Sequence, residues 1–107
     1  MSSTRAHILD TAKQAVTIDR QATHGKPEDT FGLISAFWSA HLEVQISPAD
    51  VAVMMVLLKC ARSRANPGNE DNYIDSAGYA ACAGELAAQA ASLGLPPKRF
   101  PQQGEGA

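Results

Sequence analysis

The stretch Ser47–Arg64, SPADVAVMMVLLKCARSR, decides how this chain folds. Ser47 is a good helix N-cap. Pro48 suits the first helical position, because its missing N–H would have no intrahelical partner there anyway. Asp50 stands three residues after the cap, where its side chain can return a bond to the cap backbone. The residues that follow are apolar on nearly all sides of a helix, which predicts a central, packed element. Its end is cationic, with Lys59, Arg62 and Arg64. Cations there complement the helix dipole, and that accounts for Arg64. Arg62 falls in line with Val51, Met55 and Leu58, on a face expected to be packed, so it needs an anionic partner. Lys59 lies about one-sixth of a turn away.

Toward the C-terminus, Asn66-Pro67-Gly68-Asn69 reads as a turn, and a helix from Glu70 to Leu93 follows. Its middle is almost entirely alanine and glycine. Gly78 and Gly84 each cost about 1 kcal/mol against alanine in a helix interior, so close contact with another helix should offset them. Gly94 suits the position after the helix end, and Pro96-Pro97 prevents continuation. The rest, residues 95–107, reads as a disordered tail.

Toward the N-terminus, a helix from Thr30 to Glu43 is expected, capped by Asp29 or Thr30, with a stripe of Phe31, Ile34, Phe37 or Trp38, and Leu42. A polar connection, Arg20 to Asp29, precedes it. The first helix runs from Thr4 to Asp19, with Ile8, Ala12, Ala15 and Ile18 at helical spacing. No segment alternates as a strand would. The expected fold is all-α: one compact four-helix bundle-like domain over residues 1–94. An alanine-rich face buries little apolar area, and a chain this small has a modest core, which points to a homo-oligomer.

Composition narrows the classes. The 107 residues imply one domain, and 45% hydrophobic with 19% charged residues is ordinary for a soluble globular protein. A formal charge of −2 supplies no basic field for duplex nucleic acid. Cys60 and Cys82 lie in apolar or small-residue helical stretches and read as reduced core thiols, which fits a cytoplasmic protein. The start, MSSTRAHILDTAKQ, is too polar for a signal peptide. Val51 to Leu58, the longest apolar run, falls far short of the ~20 residues of a membrane helix, so no membrane partner is expected.

Three polar constellations could carry chemistry. Phosphate-loop, dinucleotide and zinc-protease motifs are absent. The first constellation is Arg20, His24, Lys26 and Glu28 beside a helix N-terminus, a setting that favours phosphate but equally describes a solvated loop. The second is Lys59 with Arg62. The third is Asp71 with Asp75, four residues apart on one helix face, where like charges repel by a few tenths of a kcal/mol. Asp71 is explained by the helix dipole, whereas Asp75 lies beyond the first turn. Its partner is either Arg62 or Lys59 across a short antiparallel turn, or Mg²⁺, which takes one or two carboxylates plus phosphate and water.

The blocks R-x₃-H-G-K-P-E-D-x-F, DVAVMMVLLKCAR and D-N-Y-I-D-x-A-G-Y resemble a small domain of uncharacterised phage and prophage proteins, over about Arg20 to Leu86. That domain is more distantly similar to the MazG-like all-α nucleoside triphosphate pyrophosphohydrolases. The resemblance implies an oligomeric bundle that uses Mg²⁺ (or Mn²⁺ in its place) to convert an NTP or dNTP to monophosphate and pyrophosphate, in the host cytoplasm if phage-encoded. The superfamily's ExxD motif would be represented by Asp71 and Asp75 at a different spacing. Its ExxE motif is absent, leaving Glu28 as the further candidate carboxylate. In that reading Asp71, Asp75 and Glu28 are catalytic, with the metal on Asp71 and Asp75. Arg20, His24, Lys26, Lys59 and Arg62 bind phosphate, and Tyr79 or Trp38 stacks on the base. Two other readings stand beside it. One is a module that sequesters a nucleotide or cyclic nucleotide without turnover; the other is a structural bundle in which these charges only pair.

Overall fold

A computed structural model of the chain describes residues 3–19 and 26–95, all as helices and their connections. In order these are α1 (Arg5–Gln14), continued by a π-helical turn over Ala15–Asp19, α2 (Pro27–Leu42), α3 (Pro48–Ala65) and α4 (Glu70–Ser92). The expected all-α fold with four helices is the observed one. Among the described residues no helix is long and apolar enough to cross a membrane. The tail expected over residues 95–107 lies, beyond Leu95, outside the described residues.

The helix ends follow the local chemistry, with one exception. Thr4 caps α1 by accepting from the His7 backbone N–H at 3.2 Å. At α3 the reciprocal box is complete: Ser47 Oγ accepts from Asp50 N–H at 3.0 Å and Asp50 Oδ2 from Ser47 N–H at 2.9 Å. Asn69 caps α4 through Asp71 N–H. Gly94 has φ +76°, and the N–H groups of Gly94 and Leu95 bond back to Ala91 and Ala90, which closes α4 with the last carbonyls satisfied. The exception is α2, which begins at Pro27 instead of Thr30. Lys26 is its N-cap and makes no side-chain capping bond, so neither Asp29 nor Thr30 caps it. Proline's fixed φ is already helical, and that starts the helix three residues early.

Helices α3 and α4 form the central antiparallel hairpin. The turn between them is latched from α4: Tyr73 Oη donates to the Pro67 carbonyl at 2.8 Å, and Asn72, buried, reaches the Asn66 carbonyl. Helix α2 packs on α3, and Ser39 ties the α2–α3 connection down by accepting from Ile46 N–H and donating to its carbonyl. Helix α1 lies along α4 in the same direction. His7 meets Glu70 near both starts, and Val16 meets Gly78 about two turns on. At Gly78 a Cβ would stand 2.7 Å from Val16 Cγ1, so this glycine is the close contact that lets the π turn seat on α4. Gly84 differs, since a Cβ there would meet nothing within 4 Å.

The core is small. Phe31, Ile46, Val51, Ala52, Cys82 and Leu86 form it, with Val16, Ile34, Trp38 and Tyr79 packed around. On α2 the stripe resolves to Trp38, because Phe37 is 68% exposed. Central as it is, α3 is not packed on all sides: Val53, Met54, Leu57 and Leu58 are exposed. Cys60 is also exposed, against the expectation of a core thiol, because it lies on that outward face, while Cys82 is buried.

Candidate functional site

The polar candidates on α3 and α4 meet where α3 ends and α4 begins. Lys59 Nζ lies 2.8 Å from Asp75 Oδ2. The two ends differ in exposure: the Lys59 side chain is 11% exposed and that of Asp75 42%. The aliphatic stem of Lys59 is therefore packed between the helices, with its ammonium delivered to a carboxylate that still faces solvent. Asp71 lies one turn before Asp75 on the same face and is exposed.

Arg62 corrects the sequence reading. It is exposed, and among the described residues it makes no ion pair. The packed line on α3 is the i, i+4 row Val51, Met55, Lys59, Ser63. Such a row is inclined to the helix axis, so it winds away from the Val51–Met55–Leu58–Arg62 line by the end of the helix. Lys59 takes the buried position that had been expected for Arg62.

The aromatic candidates are built into the packing. Tyr79, one turn after Asp75, stacks obliquely on Phe31, with ring centroids 6.2 Å apart and planes 56° from parallel. Trp38 packs against the core, and its outer edge lines a shallow cleft of about 220 Å³ with His41, Leu42 and Met54. Both rings are half-buried. The Phe31–Tyr79 contact also locates the start of α2. Counted along the helices, Lys26 lies within roughly 15–20 Å of the Lys59–Asp75 pair.

Lys26 is exposed at the N-terminus of α2. Arg20 and His24 lie outside the described residues, as does the Glu28 side chain. Among the described residues no group of three or more His, Cys, Asp or Glu side chains is close enough to hold one metal ion. The donor set in view is thus Asp71 and Asp75 alone.

A polar cluster between α1 and α4 was not foreseen. Ser3 Oγ donates to Glu70 Oε2, and His7 Nε2 lies 3.3 Å from Glu70 Oε1. The Ser3 hydrogen bond first, and His7 second, hold the Glu70 carboxyl below its usual range, with slight burial opposing. Residues so far apart in sequence left no local signal.

An all-α domain with a small core and charged groups gathered at one helix junction is the class this geometry defines. The chain belongs to the family DUF6378, described as a domain of unknown function, whose model matches residues 7–87. It is similar to the Gene 55 protein of Mycobacterium phage D29, 37% identical over 75 residues, which cover 70% of this chain and 50% of that protein. It is similar as well to the Gene 55 protein of Mycobacterium phage L5, 39% identical over 74 residues, covering 68% and 47%. The chain spans about half the length of these curated relatives. No solved structure matches it.

Proposed function

We propose that this domain handles a phosphorylated nucleotide at the α3–α4 junction, as a MazG-like, Mg²⁺-dependent pyrophosphohydrolase acting on an NTP or dNTP. The observation that supports it most is the pairing of a nearly buried lysine with a half-exposed aspartate, one turn from a second exposed aspartate. Two carboxylates on one helix face fit Mg²⁺, which completes its shell with water and phosphate oxygens. Glu28 is the candidate third carboxylate. Bound there, the ion would polarise the scissile phosphoryl group and activate water. Lys59 supplies positive charge beside the carboxylates, Arg62 is exposed one turn further along α3, and Lys26 is exposed at the start of α2. Arg20 and His24 extend that set by sequence. Tyr79 contributes by fixing α2 against α4 in place of stacking on a base.

A second reading is favoured by the ion pair itself. With Lys59 already on Asp75, one of the two carboxylates is engaged, and the site would bind a nucleotide without cleaving it. One experiment separates the readings. Purified protein is incubated with each NTP and dNTP, with Mg²⁺ or Mn²⁺ and with EDTA, and pyrophosphate and retained ligand are measured. Pyrophosphate release that Asp75→Asn abolishes supports the enzyme. Intact ligand retained in EDTA supports sequestration, and neither outcome leaves only a structural pair. Self-association belongs to the same proposal, on the strength of the small core.

A further inference from the structure

The outward face of α3 is apolar and patterned, and at Met54 it borders the cleft lined by Trp38, His41 and Leu42 of α2. Val53 is 49%, Met54 39% and Leu57 62% exposed, and Cys60, Ala61 and Arg64 are exposed too. At 100° per residue, Asp50, Val53, Met54, Leu57, Cys60, Ala61 and Arg64 all fall within about 60° of the Leu57 direction. Their spacing of three and four is that of a helix–helix seam. The seam also has a symmetry. Leu57 is its midpoint, Asp50 and Arg64 stand seven residues to either side, and Val53–Met54 mirror Cys60–Ala61.

We infer that a second copy of this chain docks on this face, α3 against α3, antiparallel about a two-fold axis at Leu57. This rests on the self-association part of the proposed function and is independent of nucleotide handling. A two-fold interface must be self-complementary, and this one is. Leu57 meets the partner's Leu57. Val53 and Met54 lie opposite the partner's Cys60 and Ala61. Asp50 at each end lies opposite the partner's Arg64, so opposite charges face each other and the helix dipoles oppose. A parallel pairing would instead set Asp50 on Asp50 and Arg64 on Arg64, with like charges repelling. Arg64 is available, since it makes no ion pair among the described residues. Asp50 keeps its capping role, because its charge acts across the seam without leaving Ser47. The small partners Cys60 and Ala61 give room for Val53 and Met54. Gly84 and the exposed alanines of α4 are not needed for this interface.

The test is cross-linking at the axis. With helix axes about 8–10 Å apart, the two Leu57 Cα atoms stand roughly 3.5–5.5 Å from each other, which overlaps the disulfide range. Leu57→Cys is made in a Cys60→Ser background, and Ala88→Cys, exposed on α4, in the same background is the control. Under mild oxidation the Leu57→Cys chain is expected to form a covalent dimer about tenfold or more faster than the control, as pre-association raises the effective concentration. Equal rates overturn the proposal. In parallel, analytical ultracentrifugation of the native chain should show a dimer that Leu57→Glu converts to monomer with unchanged helicity, and that Arg64→Glu weakens. A native chain that is monomeric throughout refutes self-association altogether. A dimer that survives Leu57→Glu places the contact elsewhere and refutes this seam alone.

Discussion

Asp75→Asn isolates what the α3–α4 ion pair contributes to stability. The variant keeps the size and polarity of the side chain and removes its charge. Lys59 then holds a nearly buried ammonium, 11% exposed, without its carboxylate at 2.8 Å. Breaking a fully buried pair from one side costs about 3–5 kcal/mol, because the remaining charge is stranded. A fully exposed pair contributes about 0–1 kcal/mol. Here one partner is buried and the other is 42% exposed, so water screens part of the loss. The expected cost is about 1–2 kcal/mol, between those limits. For a domain of this size it lowers the melting temperature by roughly 5–15 °C.

The reciprocal variant makes the reasoning refutable. Lys59→Met keeps the packed stem and removes the ammonium, leaving Asp75 half in water, where an unpaired carboxylate is tolerated. It should cost less than about 0.5 kcal/mol, and adding Asp75→Asn to it should cost little more. Urea denaturation of the four proteins then gives a coupling of about 1–2 kcal/mol. The coupling should persist at high salt, since a pair with one buried partner is weakly screened. If Asp75→Asn lies within about 0.5 kcal/mol of the native chain, or the two effects simply add, Lys59 is not held as described. Adding Mg²⁺ to the same series separates structure from function. A rise in melting temperature that Asp75→Asn abolishes is the signature of a bound ion.

Three further outcomes are expected. Gly78→Ala drives a Cβ to 2.7 Å from Val16 Cγ1, and because valine is stiff at χ1 it should destabilise by about 1–3 kcal/mol, whereas Gly84→Ala, with open space around it, should stabilise by up to about 1 kcal/mol; thermal melts of both variants check the pair. Glu70 has its carboxyl pKa depressed below the ordinary 4.5, so it adds stability above that pH and loses it as pH falls through the depressed value; Glu70→Gln should flatten that acid limb in melts at stepped pH, and an unchanged limb would contradict the Ser3–His7–Glu70 cluster. Ser47→Ala removes one half of the α3 capping box and should cost about 1 kcal/mol by denaturant titration.

The parts of this fold that were legible in the sequence are those decided within a few residues. Ser47-Pro48-Ala49-Asp50 specifies a helix start by hydrogen bonds that close inside four residues, and Gly94 specifies a helix end by a backbone angle of its own. Asp75 stands out in the sequence because it lies too deep in α4 for the dipole to explain it, and one of the three partners named for it, Lys59, meets it. The choice of Lys59 over Arg62 was not legible, since it depends on the inclination of the α3–α4 contact row, a property of two helices together. The same holds for Gly78: a cost was visible in the sequence, but its offset, Val16, sits in a π turn on α1. The Phe31–Tyr79 contact was equally hidden, because a ring's type says nothing of which neighbour it packs against.

The face of α3 shows why an all-round apolar helix is ambiguous. Val51, Ala52 and Met55 pack inward, and Val53, Met54 and Leu57 point out, yet composition treats both sets alike. In a monomer, selection for solubility would place charges on the outer set. Here the charges stand only at the ends of the seam, acidic at its start and basic at its finish. That distribution leaves the middle costly to expose and the ends complementary when reversed. Both features are accounted for by an antiparallel copy of the same helix, and neither is accounted for by a helix that faces water.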